Sequence, residues 1–242
     1  MRGDPSTSQQ HEGEILPSVQ ADHSEDRVAE KLRGFRPLGI LSFIAILAGN
    51  FIVLPLSAIL VLIWARWSRT PFSRLGFSCP RSWVGTIALG LVFGAAFKLT
   101  MKSIVMPLVG ADPINHAFHY LAGNTAALPG AFYLMIVGAG FGEETLFRGY
   151  FFERLGKLFG DALWAKPLTV ILTASVFGMA HYANQGLAGV EQATIVGLVF
   201  GTIFAVTGRI WMLMVAHAAF DLTALYIIYY DLEFRVAHLF FK

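Results

Sequence analysis

The chain has 242 residues, of which 55% are hydrophobic and 14% charged, with a formal net charge of +2 and a single cysteine. Soluble domains carry about 25% charged residues, so this balance excludes a water-soluble globular enzyme and a nucleic-acid module, and one cysteine excludes an intramolecular disulfide framework. What remains is an all-α, polytopic transmembrane helix bundle whose main solvent is lipid.

Residues 1–37 read differently from the rest, with Asp4, Glu12, Glu14, Asp22, Glu25, Asp26 and Glu30 set among Ser, Gln and Gly. They are expected to be a disordered hydrophilic lead-in, and residues 38–242 a helical membrane domain. The first apolar run begins only near Leu38, so insertion is expected through the first spanning helix rather than a cleaved signal.

A hydrocarbon core of about 30 Å needs about 20 mostly apolar helical residues. Six windows meet that requirement: Leu38 to Trp64, Trp83 to Leu108, Leu128 to about Glu153, Pro167 to Tyr182, Glu191 to Thr207, and Trp211 to Tyr230. None shows the alternation of a membrane β-strand. Glycines recur at four-residue spacing as Gly90/Gly94, Gly138/Gly142 and Gly197/Gly201, a pattern that lets helices approach closely in lipid. No repeat of 20 to 50 residues and no inverted pair of broken helices points to a transporter. If every window is one crossing, Lys and Arg divide nine against nine between the two sides, so charge bias sets no orientation.

Ionisable side chains inside a span are costly and are functional candidates by default. Here they are Glu143, Glu144 and Arg148 in the third window, His181 at the end of the fourth, and His217 and Asp221 in the sixth. Lys98, Lys102, Glu153 and Glu191 lie nearer helix ends, where long side chains reach the interface. Glu144 and Arg148 are four residues apart with the acid first, the better orientation for a helical ion pair. Glu143 points about 100° away from its neighbour, so it is expected to keep an available carboxylate. Phe177/His181 and His217/Asp221 are also four apart, each pair sharing one helix face. Asp112, His116 and His119 fall in a connection and read as solvated polar residues rather than a second metal site.

Two chemistries suit a cluster of one Glu, two His and one Asp. Glu143 can act as general base on a water beside His181, with His217 and a protonated Asp221 stabilising the oxyanion. Alternatively Glu143, His181 and His217 hold a zinc ion whose bound water is the nucleophile. No H-E-x-x-H, no G-x-S-x-G and no histidine near Cys79 supports a zincin, serine or thiol mechanism.

In order along the chain, Glu143-Glu144-x-x-x-Arg148, Phe177-x-x-x-His181 and His217-x-x-x-Asp221 resemble the three motifs of the CPBP family, the CAAX-protease and bacteriocin-processing (Abi-type) group that includes the type II CAAX prenyl endopeptidases. The resemblance covers Gly142 to Leu225. It implies a multi-pass intramembrane endopeptidase in which Glu143 activates water, His181 stands beside it, and His217 with Asp221 binds the oxyanion. Glu144, Arg148 and Phe177 become supporting residues. It implies no required cofactor, zinc being what the family's metalloprotease label would call for. The partners implied are the lipid bilayer and a peptide or lipidated protein, of CAAX or bacteriocin-like type. Asp221 stands where prenyl-protein members have Asn. The location implied is a cell membrane in a bacterium and an internal membrane in a eukaryote. A non-catalytic immunity or scaffold protein and a proton-coupled carrier are the readings from other classes.

Overall fold

The computed structural model describes residues 17–52 and 55–241, and these residues are helical without strands. Nine helices carry the chain among them: α1 (Pro17–Arg33), α2 (Pro37–Ile52), α3 (Leu56–Trp67), α4 (Trp83–Leu108), α5 (Thr125–Phe159), α6 (Ala165–Ala180), α7 (Tyr182–Thr207), α8 (Trp211–Tyr229) and α9 (Glu233–Ala237). Among the described residues four of them, α4, α5, α7 and α8, are long and apolar enough to cross a bilayer. The count is five if the bent pair Glu25–Arg33 and Pro37–Gly49 is one span. The six crossings expected from the sequence are therefore slightly too many.

Two windows account for the difference. The fourth forms α6, whose 16 residues reach about 24 Å and stop at His181 inside the bundle. The first, Leu38 to Trp64, is two helices of 16 and 12 residues on either side of residues 53–54. Their contacts make a hairpin. A Cβ on Gly49 would sit 3.0 Å from the Leu60 side chain, and one on Gly142, midway along α5, would sit 3.2 Å from Pro55. The hairpin tip thus lies at mid-depth beside the carboxylates of α5, and α3 returns to the end where α2 began. There Trp64 Nε1 donates to the Leu32 carbonyl at 3.2 Å, and Arg69 pairs with Glu25 at 3.3 Å and with Asp26.

The hydrophilic stretch expected to be disordered is helical over Pro17–Arg33, and its first 16 residues lie outside the described residues. Ala29 and Leu32 are buried against the bundle, while Arg154 near the end of α5 donates to the carbonyls of Arg33 and Gly34 at 2.7 and 2.8 Å. Those carbonyls are end groups of α1 that lack helical partners, and the guanidinium satisfies them.

Small residues set the packing around the site. On α4, a Cβ at Gly90 would lie 2.7 Å from Val215 Cβ, and one at Gly94 would collide with the Ala216 carbonyl of α8. The α6–α7 hairpin closes the same way, with Gly197 2.9 Å from the Ala174 backbone at its would-be Cβ. These contacts bear out the packing role read from the glycine spacing. Gly140, just before the carboxylates, likewise lets α8 approach, with the Met214 carbonyl 2.9 Å from its would-be Cβ. Outward faces are apolar: Val84, Leu89 and Val92 of α4 are 79%, 58% and 68% exposed, as a lipid-facing helix requires.

Candidate active site

Glu143 and Glu144 sit where α5 changes its hydrogen-bond ladder, with π-helical turns over Leu134–Glu143 and Thr145–Phe151 on either side. Such widened turns shift side chains off the regular α-helical register and recur at functional sites. Here they present the two acids to different neighbours. Glu144 is fully buried and accepts from Arg148 Nη1 at 2.7 Å, the ion pair expected from their spacing. The Arg148 guanidinium is 2% exposed and lies over the rings of Phe177 and Phe200, 4.9 and 5.5 Å from their centroids. A delocalised cation on aromatic faces is the form in which a buried arginine is least costly.

The same Glu144 oxygen also receives His217 Nδ1 at 2.7 Å. A carboxylate accepts only, so Nδ1 carries the proton and the ring is held with Nε2 turned away from Glu144. Nε2 then faces two carboxylates, Glu143 Oε2 at 3.7 Å and Asp221 Oδ2 at 3.9 Å. Both gaps exceed a hydrogen bond. Glu143 and Asp221 keep side-chain exposures of 18% and 28%, against 5% for His217 and none for Glu144. The available acid is therefore Glu143 and the pinned one Glu144, the division expected from their positions on the helix.

His181 ends α6, one turn beyond Phe177, with ring centroids 4.7 Å apart. Its Nδ1 contacts the Phe177 carbonyl at 2.8 Å. Because a carbonyl cannot donate, this nitrogen carries the proton and Nε2 is left as an acceptor. Phe177 is buried and touches Arg148, His181 and His217, so it joins the three helices' polar residues through one ring.

The zinc alternative asks Glu143, His181 and His217 to converge. Among the described residues no group of three or more His, Cys, Asp or Glu side chains is placed to hold a metal ion. Asp112, His116 and His119 do not form a cluster either. His116 pairs with Asp112 at 3.0 Å, while His119 turns to the buried Glu233 at 2.9 Å. The exposed Asp112 carboxyl is held below the usual carboxylate range by the Ile114 N–H and by His116.

Three participants escape a sequence reading. Phe200 lies under Arg148 and edge-on to His217 at 5.6 Å, yet in sequence it is one more apolar residue of a span. Glu233 is 1% exposed and gathers the Asn115 N–H at 2.8 Å, His119, and Lys102 at 3.6 Å. Lys98, expected to reach the interface, is instead 6% exposed. Its Nζ donates to Gln192 Oε1 at 3.0 Å and lies 4.8 Å from the Phe220 ring centroid.

No curated protein and no solved structure matches the chain. Residues 125–223 match the family model described as type II CAAX prenyl endopeptidase Rce1-like. Glu143, Glu144, Arg148, Phe177, His181, His217 and Asp221 all fall inside that stretch, as does all but the end of the Gly142 to Leu225 resemblance. Over this stretch the chain is therefore similar to the Rce1-like family of type II CAAX prenyl endopeptidases.

Proposed function

We propose that the protein is a multi-pass intramembrane endopeptidase that hydrolyses a peptide bond with water activated by Glu143. The observation that carries this reading is the contrast between the two adjacent acids. Glu144 is consumed by Arg148 and His217, whereas Glu143 stands partly open, its Oε2 3.7 Å from the Nε2 of His217.

In this reading a water sits between Glu143 and the free Nε2 of His181. Glu143 takes one proton as the oxygen attacks the scissile carbonyl carbon. The carbonyl electrons move onto oxygen, which meets the Nε2–H of a His217 ring that is protonated at both nitrogens, Nδ1–H staying on Glu144, and the Asp221 carboxyl in its protonated form. With Glu143 and Asp221 at 3.7 and 3.9 Å, Nε2 has no hydrogen bond to either carboxylate and is free to donate to that oxygen. Collapse of the tetrahedral carbon re-forms the carbonyl and breaks the C–N bond. The proton held by Glu143 passes to the leaving amine. No metal takes part in these steps. The substrate class is a peptide or prenylated protein cleaved near its C-terminus, with a bacteriocin-like peptide as the second class.

The test is cleavage of prenylated and unprenylated C-terminal reporter peptides by the purified full-length protein in detergent. The expected result is tripeptide release by the wild type that survives a metal chelator and is lost at least 100-fold in Glu143→Gln. Equal activity in a correctly folded Glu143→Gln protein overturns the role of that residue. A folded wild type that cleaves no peptide favours the scaffold reading, which the buried Glu144–Arg148 pair would serve on its own.

A further inference from the structure

Beside the candidate site lies a cavity of about 480 Å³. Its wall includes Asn184 and Gln185, Gln192, Ala224 and Lys98. Two of these residues tie it to the proposed chemistry. The Gln185 N–H bonds back to the His181 carbonyl at 2.9 Å, and Ala224 is one turn beyond Asp221 on α8. The volume falls in the range that holds a small ligand or a few peptide residues.

Lys98 is the unusual element of this wall. It lies 15 residues into α4, about 22 Å from the helix start, while Glu143 lies about 24 Å from the same end of the bundle along α5. An ammonium at that depth is costly unless something negative answers it. Lys102, one turn further on, has such an answer in Glu233 at 3.6 Å. Lys98 has the neutral Gln192 amide oxygen and the Phe220 ring. Among the described residues no carboxylate lies within ion-pair distance of it, and Asp221 and Glu233 act on it only from farther away. The cation is thus held in place by Gln192 and Phe220, facing a cavity whose wall also carries the amides of Asn184 and Gln185 and, in Lys102, Glu233 and Asp112, charges of both signs.

We propose that Lys98 is the anchor for a substrate carboxylate, the free C-terminus of the peptide cleaved at Glu143. This rests on the peptidase reading and adds what that reading lacks, a means of measuring the cut from the chain end. A tripeptide spans at most about 10 Å, and Lys98 stands over Phe220, the residue next to Asp221. The peptide amides between the cut and the terminus face Asn184, Gln185 and Gln192. A lipid phosphate is the less suitable anion, because headgroups sit at the bilayer surface and this ammonium lies at the depth of the catalytic carboxylate.

The experiment compares three reporter peptides of one sequence: a free C-terminal acid, its C-terminal amide, and an amide whose last residue is glutamate. Cleavage is read as kcat/KM on the full-length protein. Binding is read as Kd on Glu143→Gln, where no turnover intervenes. The wild type is expected to prefer acid over amide at least 10-fold in kcat/KM, and Glu143→Gln to show the same preference in Kd. Lys98→Gln brings both ratios near one and Lys98→Arg restores them, each variant being checked for its unfolding temperature. A wild-type ratio near one overturns the anchor even if cleavage is efficient, whether the site is empty or holds a lipid phosphate. If the glutamate amide equals the acid, the anchor is not specific for a chain terminus and the assignment falls. If nothing is cleaved but the acid binds at least 10-fold tighter, the anchor stands and the peptidase reading is what fails.

Discussion

Glu144 performs two tasks with one oxygen, neutralising Arg148 and fixing the proton on His217 Nδ1, both at 2.7 Å. Replacing it by Gln leaves a guanidinium that is 2% exposed without a counter-charge. Breaking a buried pair from one side costs about 3–5 kcal/mol. Glu144→Gln is therefore expected to lower the unfolding temperature in detergent sharply, whereas Glu143→Gln leaves it close to the wild type. The double variant Glu144→Gln/Arg148→Met removes the stranded charge and recovers most of the stability. It does not recover cleavage, because a neutral amide oxygen replaces the carboxylate that holds the His217 ring protonated. Recovery of activity along with stability in the double variant would show that Glu144 serves the fold alone. The ion pair was legible in the sequence because i and i+4 spacing is a local property. The bond from Glu144 to His217 crosses 73 residues, and no spacing within one helix encodes it.

At the scale of the helix, the third and sixth windows, which carry the acids and His217, were readable as crossings from apolar length, whereas the first and the fourth, the latter bearing Phe177 and His181, misled because apolar length is not crossing. Leu38 to Trp64 contains enough apolar residues for a span, yet the chain turns back at Pro55 beside Gly142. Proline and glycine mark that turn, but both also occur within membrane helices, so composition does not separate a hairpin from a kinked span. The glycine spacings were legible because contact between helices in lipid demands small residues. Helix α8, which brings His217 and Asp221, is seated on α4 through Gly90 and Gly94. Gly94→Val forces a side chain against the Ala216 backbone one residue from His217. Overpacking of this kind costs about 1–3 kcal/mol, and the displaced histidine should lower kcat by more than the stability loss alone explains. Gly130, with nothing within 4 Å of its would-be Cβ, is the control: Gly130→Ala leaves the unfolding temperature level or slightly higher. Equal losses from the two substitutions would mean that the α4–α8 contact does not position the site.

For the whole molecule, the α2–α3 hairpin changes which cations share a side. With Leu38 to Trp64 taken as one crossing, charge bias was tied. With a hairpin, Arg27, Lys31, Arg33, Arg36, Arg66, Arg69, Arg74, Arg81, Arg154, Lys157, Lys166 and Arg209 all gather at one end of the bundle. The opposite end, where α4 finishes and α5 begins, holds Lys102 and Arg235 among the described residues. By the excess of Lys and Arg in its short connections, the first end is predicted to face the cytoplasm. The cavity beside Lys98, lined in part by Asp112, His116 and Phe241, then opens toward the other side. The single cysteine reports on this directly, since Cys79 is exposed in the segment between α3 and α4. In intact cells a membrane-impermeant maleimide should leave Cys79 unlabelled until the membrane is permeabilised. An epitope fused to the N-terminus should be protected together with it. In a Cys79→Ser background, Tyr120→Cys, at a position 60% exposed in the connection from α4 to α5, should label from outside. An N-terminus and Cys79 on opposite faces would make residues 37–67 a single crossing. Labelling of Cys79 but not Tyr120→Cys in intact cells would keep the hairpin and invert the molecule, turning the mouth of the cavity to the cytoplasm.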